Sequence, residues 1–503
     1  MDFANWDLKE GDSKDDEERK RRMSALHKRS ADRLREMLRK NGGIYIKLGQ
    51  HLASLKYLLP DEWTTAMEPL QDRCTPSSIE SIQALFLSDL GKPISALFSS
   101  FDLEPIGVAS LAQVHKAKLL DGQEVAVKIQ HPALKEFSTI DIKTVAALTS
   151  IVAYFFPEFE FTWLSDEMQS SLPKELNFNV EAANAARVAN NFDKARAEGS
   201  KSTIKIPDVV WSQSRILVME FMVGSRIDDL QYLKDKNIAV SEVSNEMARI
   251  FSQMIYKDGF VHCDPHPGNV MIRPSPAGSL SPRNFEIILL DHGLYRELSP
   301  EFRLDYAHLW TAIIASDEEE IKRRALNLGG TDAYQLFSSI LTGRDWSVVQ
   351  DAQLTKKARN KDEMTMLADG GDTVIKIVEV ANILAKVPRT LLLLFKTNDL
   401  LRALDEDLGA DDGSQMRTFA VMGQYCAHAI YEADKAVITA TLEDSSKKMT
   451  VPLLTRTLQS WLKTYCGYLY TTFSLDVFVW WIDFSQSNSF CYQIFAFIGN
   501  LLQ

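Results

Sequence analysis

Cysteine is scarce in this sequence. The five present (Cys74, Cys263, Cys426, Cys466 and Cys491) are odd in number and lack metal-ligand spacing. This excludes a disulfide framework as the organising principle and fits a reducing compartment. Positive charge is also in short supply: 56 Lys and Arg stand against 68 Asp and Glu, for a net charge of -12. A general nucleic-acid binder would carry a basic face, so nucleic acid is not an expected partner. The start, "MDFANWDLKEGDSKDDEERKRR", has no apolar h-region, and its acids are foreign to a mitochondrial transit peptide. Long apolar runs are missing too. The uncharged end "FSQSNSFCYQIFAFIGNLLQ" is broken by Gln486, Asn488 and Gln493, a poor pattern for a spanning helix. With the aromatic "LDVFVWWIDF" before it, this tail reads as a packed or membrane-surface helical region, and core packing is the expectation.

What is present is ordinary globular material, 45% hydrophobic and 25% charged over 503 residues, enough for two or three packed units. Residues 9–40 read as a solvated helix, acidic first and basic later. "IYIKLGQHLASLKYLL" has apolar residues at helical intervals from Ile44 to Leu59, and Pro60 stops it. Residues 76–99 read as another helix, punctuated by Gly91 and Pro93. Residues 101–130 alternate, with Asp121–Gly122 as the turn of a hairpin. A helical stretch over 164–195 and two strands ending at Gly224 follow. Further on, "NVMIRP" and "FEIILLDHG" read as strands joined by a Pro/Ser/Gly-rich loop over 273–284. Beyond Ser299 the pattern is helical to about 460.

Three short pieces carry chemistry. In "VAVK", Lys128 follows a strand pattern, where an ammonium can meet nucleotide phosphates if a helix-borne carboxylate holds it. In "HCDPHPGN", Asp264 and Asn269 are five apart, the spacing of the kinase catalytic loop H-R-D-x-x-x-x-N. Asp264 can orient a nucleophile, and Asn269 can offer a hard amide oxygen to magnesium. "IILLDHG" then delivers Asp291 at the D-F-G position, with His292 in place of Phe. A metal site is the competing reading of the loop, since His262 and His266 are four apart. Pro265 and Pro267 forbid a helix between them, which weakens it.

The chain resembles the UbiB / aarF-domain (ADCK) atypical kinase-like family. The resemblance is carried by "KLGQ", "PIGVASLAQVHKA", "VAVKIQHP", "ELNFNVEAANA", "ILVMEFMVG", "HCDPHPGNV" and "LLDHG", over about residues 41–300. "TGRDW" and "LLLLFKTNDLLRALD" are similar to the mitochondrial branch of that family, related to a yeast protein of mitochondrial lipid homeostasis.

The resemblance implies an α+β, bilobal protein-kinase-like fold with a helical N-terminal K-x-G-Q extension and an extended helical C-terminal region. Expected divisions are a charged segment over 1–40, the K-x-G-Q extension over 41–100, an N-lobe over 101–222, a C-lobe core over 223–345 and a helical region over 346–503. Lys128 is then the phosphate-binding lysine, Glu181 its helix-borne partner and Asp264 the catalytic-loop aspartate. Asn269 and Asp291 would hold Mg²⁺. Gly107, Ala109 and Ser110 form an alanine-rich nucleotide loop, in which Gly107 partly restores a glycine and so bears on ATP versus ADP preference. Gln50 sits near the nucleotide, and Glu220 and Met222 lie on the hinge that meets adenine. Glu175 pairs with Lys47 across the substrate cleft, while Asn177 stands where the family's E-x-D motif has Asp and so lacks its charge.

The expected function is therefore an ATP- or ADP-binding, magnesium-dependent kinase or ATPase in mitochondrial lipid or coenzyme Q homeostasis, with lipid or a membrane surface as partner. A protein kinase is disfavoured because no A-P-E segment follows Asp291. A non-catalytic lipid-binding scaffold is the third reading. The location implied by the family is the mitochondrion, although this N-terminus is no transit peptide.

Overall fold

The structure is a computed structural model that describes residues 13–53, 59–70, 76–132, 134–155, 162–350, 383, 386–409, 412–445 and 458–480. The chain opens with three helices: α1 (Ser13–Asn41), α2 (Gly43–Ala53) and α3 (Asp61–Met67). The amphipathic pattern of α2 places Ile46 and Ala53 against Leu38, Met67 and Leu70. Its Ile44 packs with Leu134, Val145, Met168 and Leu172. The helix is thus held on two sides, and its polar stripe of Lys47, Gln50 and His51 faces elsewhere. The expected continuation of this helix toward Leu59 falls partly on 54–58, outside the described residues.

Helix α4 (Ile79–Leu90) stops at Gly91, which closes the helix in the left-handed conformation at φ 62°. The first sheet follows, with β1 (Phe98–Phe101), β2 (Gly107–Val108), β3 (Ala112–Leu119), β4 (Glu124–Gln130) and two later strands. The hairpin expected around Asp121–Gly122 is the β3–β4 pair, with Val114 opposite Lys128. After β4 come α5 (Leu134–Phe155), α6 (Thr162–Glu175), α7 (Phe178–Ala197), β5 (Ile204–Lys205) and the two remaining strands of this sheet, β6 (Val209–Ser212) and β7 (Ile216–Glu220). The sheet order is β1-β3-β4-β7-β6, which makes β4 a central strand. One face of β4 (Val125, Val127 and Ile129) packs on Ile82, Leu85 and Phe86 of α4. Successive strand residues point to opposite faces, so Ala126 and Lys128 turn to the side covered by Phe178 of α7.

The second lobe is β8 (Ser225–Arg226), α8 (Leu230–Asp235), α9 (Val240–Ser252), β9 (Phe260–His262), β10 (Val270–Pro274), β11 (Phe285–Leu289) and β12 (Tyr295–Glu297). The expected strands "NVMIRP" and "FEIILLDHG" are the antiparallel β10–β11 pair. Helices α10 (Pro300–Ala315), α11 (Glu318–Gly329), α12 (Tyr334–Thr342), α13 (Trp346–Gln350), α14 (Arg389–Asp407) and α15 (Asp412–Ser445) complete it around one large apolar core.

Residues 458–480 are helical. Their core packing is one-sided: Tyr468 stacks on Tyr431 at 4.7 Å, whereas Tyr470, Phe473 and Trp480 are exposed. The rest of the aromatic tail, from 481, lies outside the described residues. Among the described residues no helix is long and apolar enough to cross a membrane. The architecture is the expected α/β kinase-like core between helical N- and C-terminal extensions.

Candidate active site

Lys128 projects from β4 into a carboxylate pair. Its Nζ lies 2.6 Å from Glu181 Oε1 and 3.1 Å from Asp291 Oδ2. Glu181 sits in the first turn of α7, where a helix N-terminus favours negative charge. The α7 start is set by Asn177, whose side-chain oxygen accepts from the Asn179 N–H. Asn177 thus spends its amide oxygen on capping. The Phe178 ring lies 5.2 Å below the ammonium. Burial alone would lower the Lys128 pKa; Asp291 and Glu181 outweigh it and raise it. Burial pushes the Glu181 carboxyl up despite Lys128. Asp291 remains well below the usual carboxylate range because Lys128, with Lys47, overcomes the burial that would raise it.

The Asp264–Asn269 loop is positioned by an unusual helix end. Helix α9 runs into a π-helical turn, Gln253–Asp258, closed by Gly259 at φ 62°. A Cβ on Gly259 would also press on Arg303 Cδ at 2.9 Å and Leu298 O at 3.1 Å. Strand β9 then leads to His262. Its Nε2–H donates to the Asp291 carbonyl at 2.7 Å, and its Nδ1 accepts from the Asp264 N–H at 3.1 Å. Both ring nitrogens are occupied, which removes His262 as a metal ligand and makes it the tie between the loop and Asp291. Asn269 Nδ2 donates to the Asp264 carbonyl at 3.0 Å. Its own carbonyl accepts from Leu290 N at 3.0 Å, placing Asn269 beside the chain that leads to Asp291. Asp291 Oδ1 accepts from Gly293 N at 2.8 Å. His292, in the D-F-G phenylalanine position, is buried: Nε2–H donates to Leu289 O at 3.1 Å and Nδ1 accepts from the Tyr295 hydroxyl at 2.9 Å. Burial pushes its pKa down to about 3, so it is a neutral ring.

The opposite wall comes from the extensions. Lys47 of α2 lies 2.9 Å from Glu175 Oε2 and 3.9 Å from Asp264 Oδ2. Glu175 is buried, and among the described residues its second oxygen, Oε1, has no hydrogen-bond partner. Gly49 is required by close packing: a Cβ there would overlap Leu70 and stand 3.1 Å from Leu38 Cδ1. A further residue enters that sequence reasoning missed. Lys396 of α14 places Nζ 2.9 Å from Asp264 Oδ1. Burial alone would raise the Asp264 pKa; Lys396, His266 and Lys47 reverse this and hold it well below the usual range. The one local signal was a lone lysine directly after the apolar run "LLLLF".

The residues expected to form a nucleotide loop are linked to the same extension. Gly107 pairs with Val114 across β2–β3. Ala109 N donates to Ala112 O at 2.7 Å, and its carbonyl accepts from His131 Nε2 at 3.0 Å. The Ser110 hydroxyl donates to Gln50 Oε1 at 3.4 Å, while Gln50 Nε2 donates to Leu70 O at 3.1 Å. At the hinge, Glu220 is paired with Lys205 at 2.9 Å and Met222 is buried.

Similarity to known proteins identifies the family. The ABC1 atypical kinase-like domain covers residues 69–325, and ABC1 family protein MCP2 of Saccharomyces cerevisiae is 39% identical over 476 residues, 93% of this chain and 82% of that protein. The chain belongs to the ABC1 (UbiB, AarF/ADCK) atypical kinase-like family. AarF domain-containing protein kinase 1 of Mus musculus is 42% identical over 83% of this chain and 77% of that protein. Among solved structures, the Rv3197–erythromycin complex from Mycobacterium tuberculosis is similar at 20% identity and a TM-score of 0.43, covering 78% of this chain and 98% of that one. Lys47 and Lys396 both lie outside the span of the ABC1 domain match.

Magnesium fits the residues present. Among the described residues no three His, Cys, Asp or Glu cluster to hold a metal alone. Magnesium beside nucleotide phosphates needs only one or two protein oxygens. Asn269 uses its Nδ2 on Asp264, leaving the amide oxygen as the hard donor, and the Asp291 side chain is 39% exposed at the cleft.

Proposed function

We propose that this protein binds Mg-ATP or Mg-ADP and catalyses phosphoryl transfer to a small or lipid-like acceptor, or to water. The observation that carries this reading is the Lys128–Glu181–Asp291 triad at the cleft beside the Asp264–Asn269 loop. Lys128 would meet the phosphates, with Glu181 holding it. Gly107, Ala109 and Ser110 would cover the phosphates, with Gln50 bracing Ser110. The hinge at Glu220 and Met222 would meet adenine through its backbone. Asn269 and Asp291 would hold magnesium, which when bound neutralises charge on the phosphates. An acceptor oxygen bonds to the γ-phosphorus as the β–γ bridging oxygen leaves with ADP. Asp264, held in its ionised form, is a weak proton acceptor, so it orients the acceptor O–H and the proton ends on the transferred phosphate.

Lys47 of α2 and Lys396 of α14 flank the acceptor side of Asp264. Two extension helices beside Asp264, where a protein kinase would dock a peptide, support a small acceptor over a protein substrate. The exposed Tyr470, Phe473 and Trp480 support contact with lipid or a membrane surface. The likeness of "TGRDW" and "LLLLFKTNDLLRALD" to the mitochondrial branch supports a place in mitochondrial lipid or coenzyme Q homeostasis. The test is incubation with γ-labelled ATP and Mg²⁺, with and without a mitochondrial lipid extract. Labelled phosphate or labelled lipid from wild type, and far less of either from Asp264→Asn, is expected. Label released equally by both proteins would refute the reading.

A further inference from the structure

We propose that Lys396 is a positioning residue for phosphoryl transfer, which makes helix α14 a working wall of the active site rather than a scaffold outside the kinase-like domain. The proposal rests on the nucleotide reading above and adds to it a residue from beyond the domain match.

The geometry is specific. Lys396 is only 7% exposed and meets one oxygen of Asp264, Oδ1, at 2.9 Å. The other oxygen, Oδ2, has looser neighbours: Lys47 at 3.9 Å and His266 at 4.0 Å. One oxygen is therefore fixed at hydrogen-bond distance, and the second is left to the cleft. Lys47 meanwhile stays on Glu175 at 2.9 Å. The two ammonium groups divide two carboxylates between them. Without Lys396, the nearest replacement cation for Asp264 is Lys47, and drawing it over would strip Glu175 of that partner and rotate Asp264. The clamp thus fixes both the carboxylate and the identity of each lysine's partner.

The helix is anchored to hold that position. Leu391, Leu392, Leu393, Leu394 and Phe395 are buried in the core of the second lobe. Asn398 Nδ2 donates to the Tyr306 hydroxyl at 2.7 Å, and the Thr397 hydroxyl donates to Leu393 O at 2.8 Å. A buried ammonium on a long, flexible stem is costly unless its geometry is good. Here it is placed by a rigid helix against the one carboxylate that faces the acceptor. A displacement of about 1 Å at such a group can cost on the order of 100-fold in rate.

The test is steady-state Mg-ATP turnover and Mg-ATP binding for wild type, Lys396→Met, Lys396→Arg, Asp264→Asn and the Asp264→Asn/Lys396→Met double variant. Lys396→Met is expected to keep its Mg-ATP affinity while kcat falls on the order of 100-fold, and Lys396→Arg to recover most of that loss. Since Lys396 acts through Asp264, the double variant should turn over no more slowly than Asp264→Asn alone. The double variant also removes both buried charges, so it folds even where Lys396→Met does not, and the comparison stands. A folded Lys396→Met with wild-type kcat overturns the proposal, as does an additive loss in the double variant. Absence of Mg-ATP binding in wild type refutes the nucleotide reading itself and the proposal with it.

Discussion

Lys128 and Lys47 each meet a buried glutamate, at 2.6 and 2.9 Å, yet they reach the cleft by different routes. Lys128 stands on a central strand, faces α7 by strand alternation, and lies inside the ABC1 domain match with Glu181 and Asp291. Lys47 comes from a helix before that match, and Lys396 from a helix after it, and they converge on Asp264. The Lys128 side of the cleft is therefore built within the kinase-like core, while the surroundings of Asp264 also depend on how two extensions dock. On the proposed reading, such a core keeps its nucleotide chemistry while flanking helices decide what reaches Asp264.

The largest expected break in this comparison is Lys128→Met. It leaves Glu181 buried with Asp291 as neighbour and no cation, which should cost roughly 3–5 kcal/mol in urea unfolding and abolish nucleotide binding. A near-neutral result would mean the triad is not organised by its lysine. Gly49→Ala acts on the other side. The new Cβ would overlap Leu70 and crowd Leu38, costing about 1–3 kcal/mol and shifting α2. Turnover should suffer more than nucleotide affinity; the reverse ratio would place α2 on the nucleotide side. Asn177→Ala removes only the α7 cap, so a loss of about 0.5–2 kcal/mol with unchanged magnesium dependence is expected in thermal and titration measurements. A changed magnesium requirement would assign Asn177 to the site instead.

The smallest effect lies outside the cleft. Glu320 is held at a pKa of about 2, against an ordinary 4.5, chiefly by its hydrogen bond to Arg323 and then by Arg324. A carboxyl depressed in the folded state contributes stability above pH 4.5 that is lost as the pH falls toward 2. Glu320→Gln should flatten that part of the acid limb in a denaturation series and leave nucleotide binding untouched. An acid limb identical to wild type would show that the pair is screened.

Much of the Lys128–Asp291 cluster and the loop beside it was legible because its signals are local. The Asp264–Asn269 spacing, the alternation through "VAVK" and the strand before Asp291 each fit within a few residues. The β3–β4 and β10–β11 pairs were legible for the same reason, whereas the bilobal kinase-like arrangement was reached through the family resemblance. Glu181 and Glu175 were reached only through family resemblance, since nothing within "ELNFNVEAANA" states that its two acids face different lysines. Lys396 was not reached at all. It lies 132 residues from Asp264, and a single lysine after an apolar run reads as a helix end rather than as a contact. Helix α5 was also not drawn out, because Phe137, Ile140, Leu148 and Ile151 leave apolar residues on its exposed side and blur the amphipathic stripe.

The most direct measurement is a thermal-shift titration with ATP and ADP, with and without Mg²⁺, on wild type and Asp291→Asn. A ligand that binds only the folded state raises its stability by mass action. The account predicts a magnesium-dependent rise for wild type and none for Asp291→Asn. An equal rise in both proteins, or no rise in wild type at millimolar nucleotide, would contradict it.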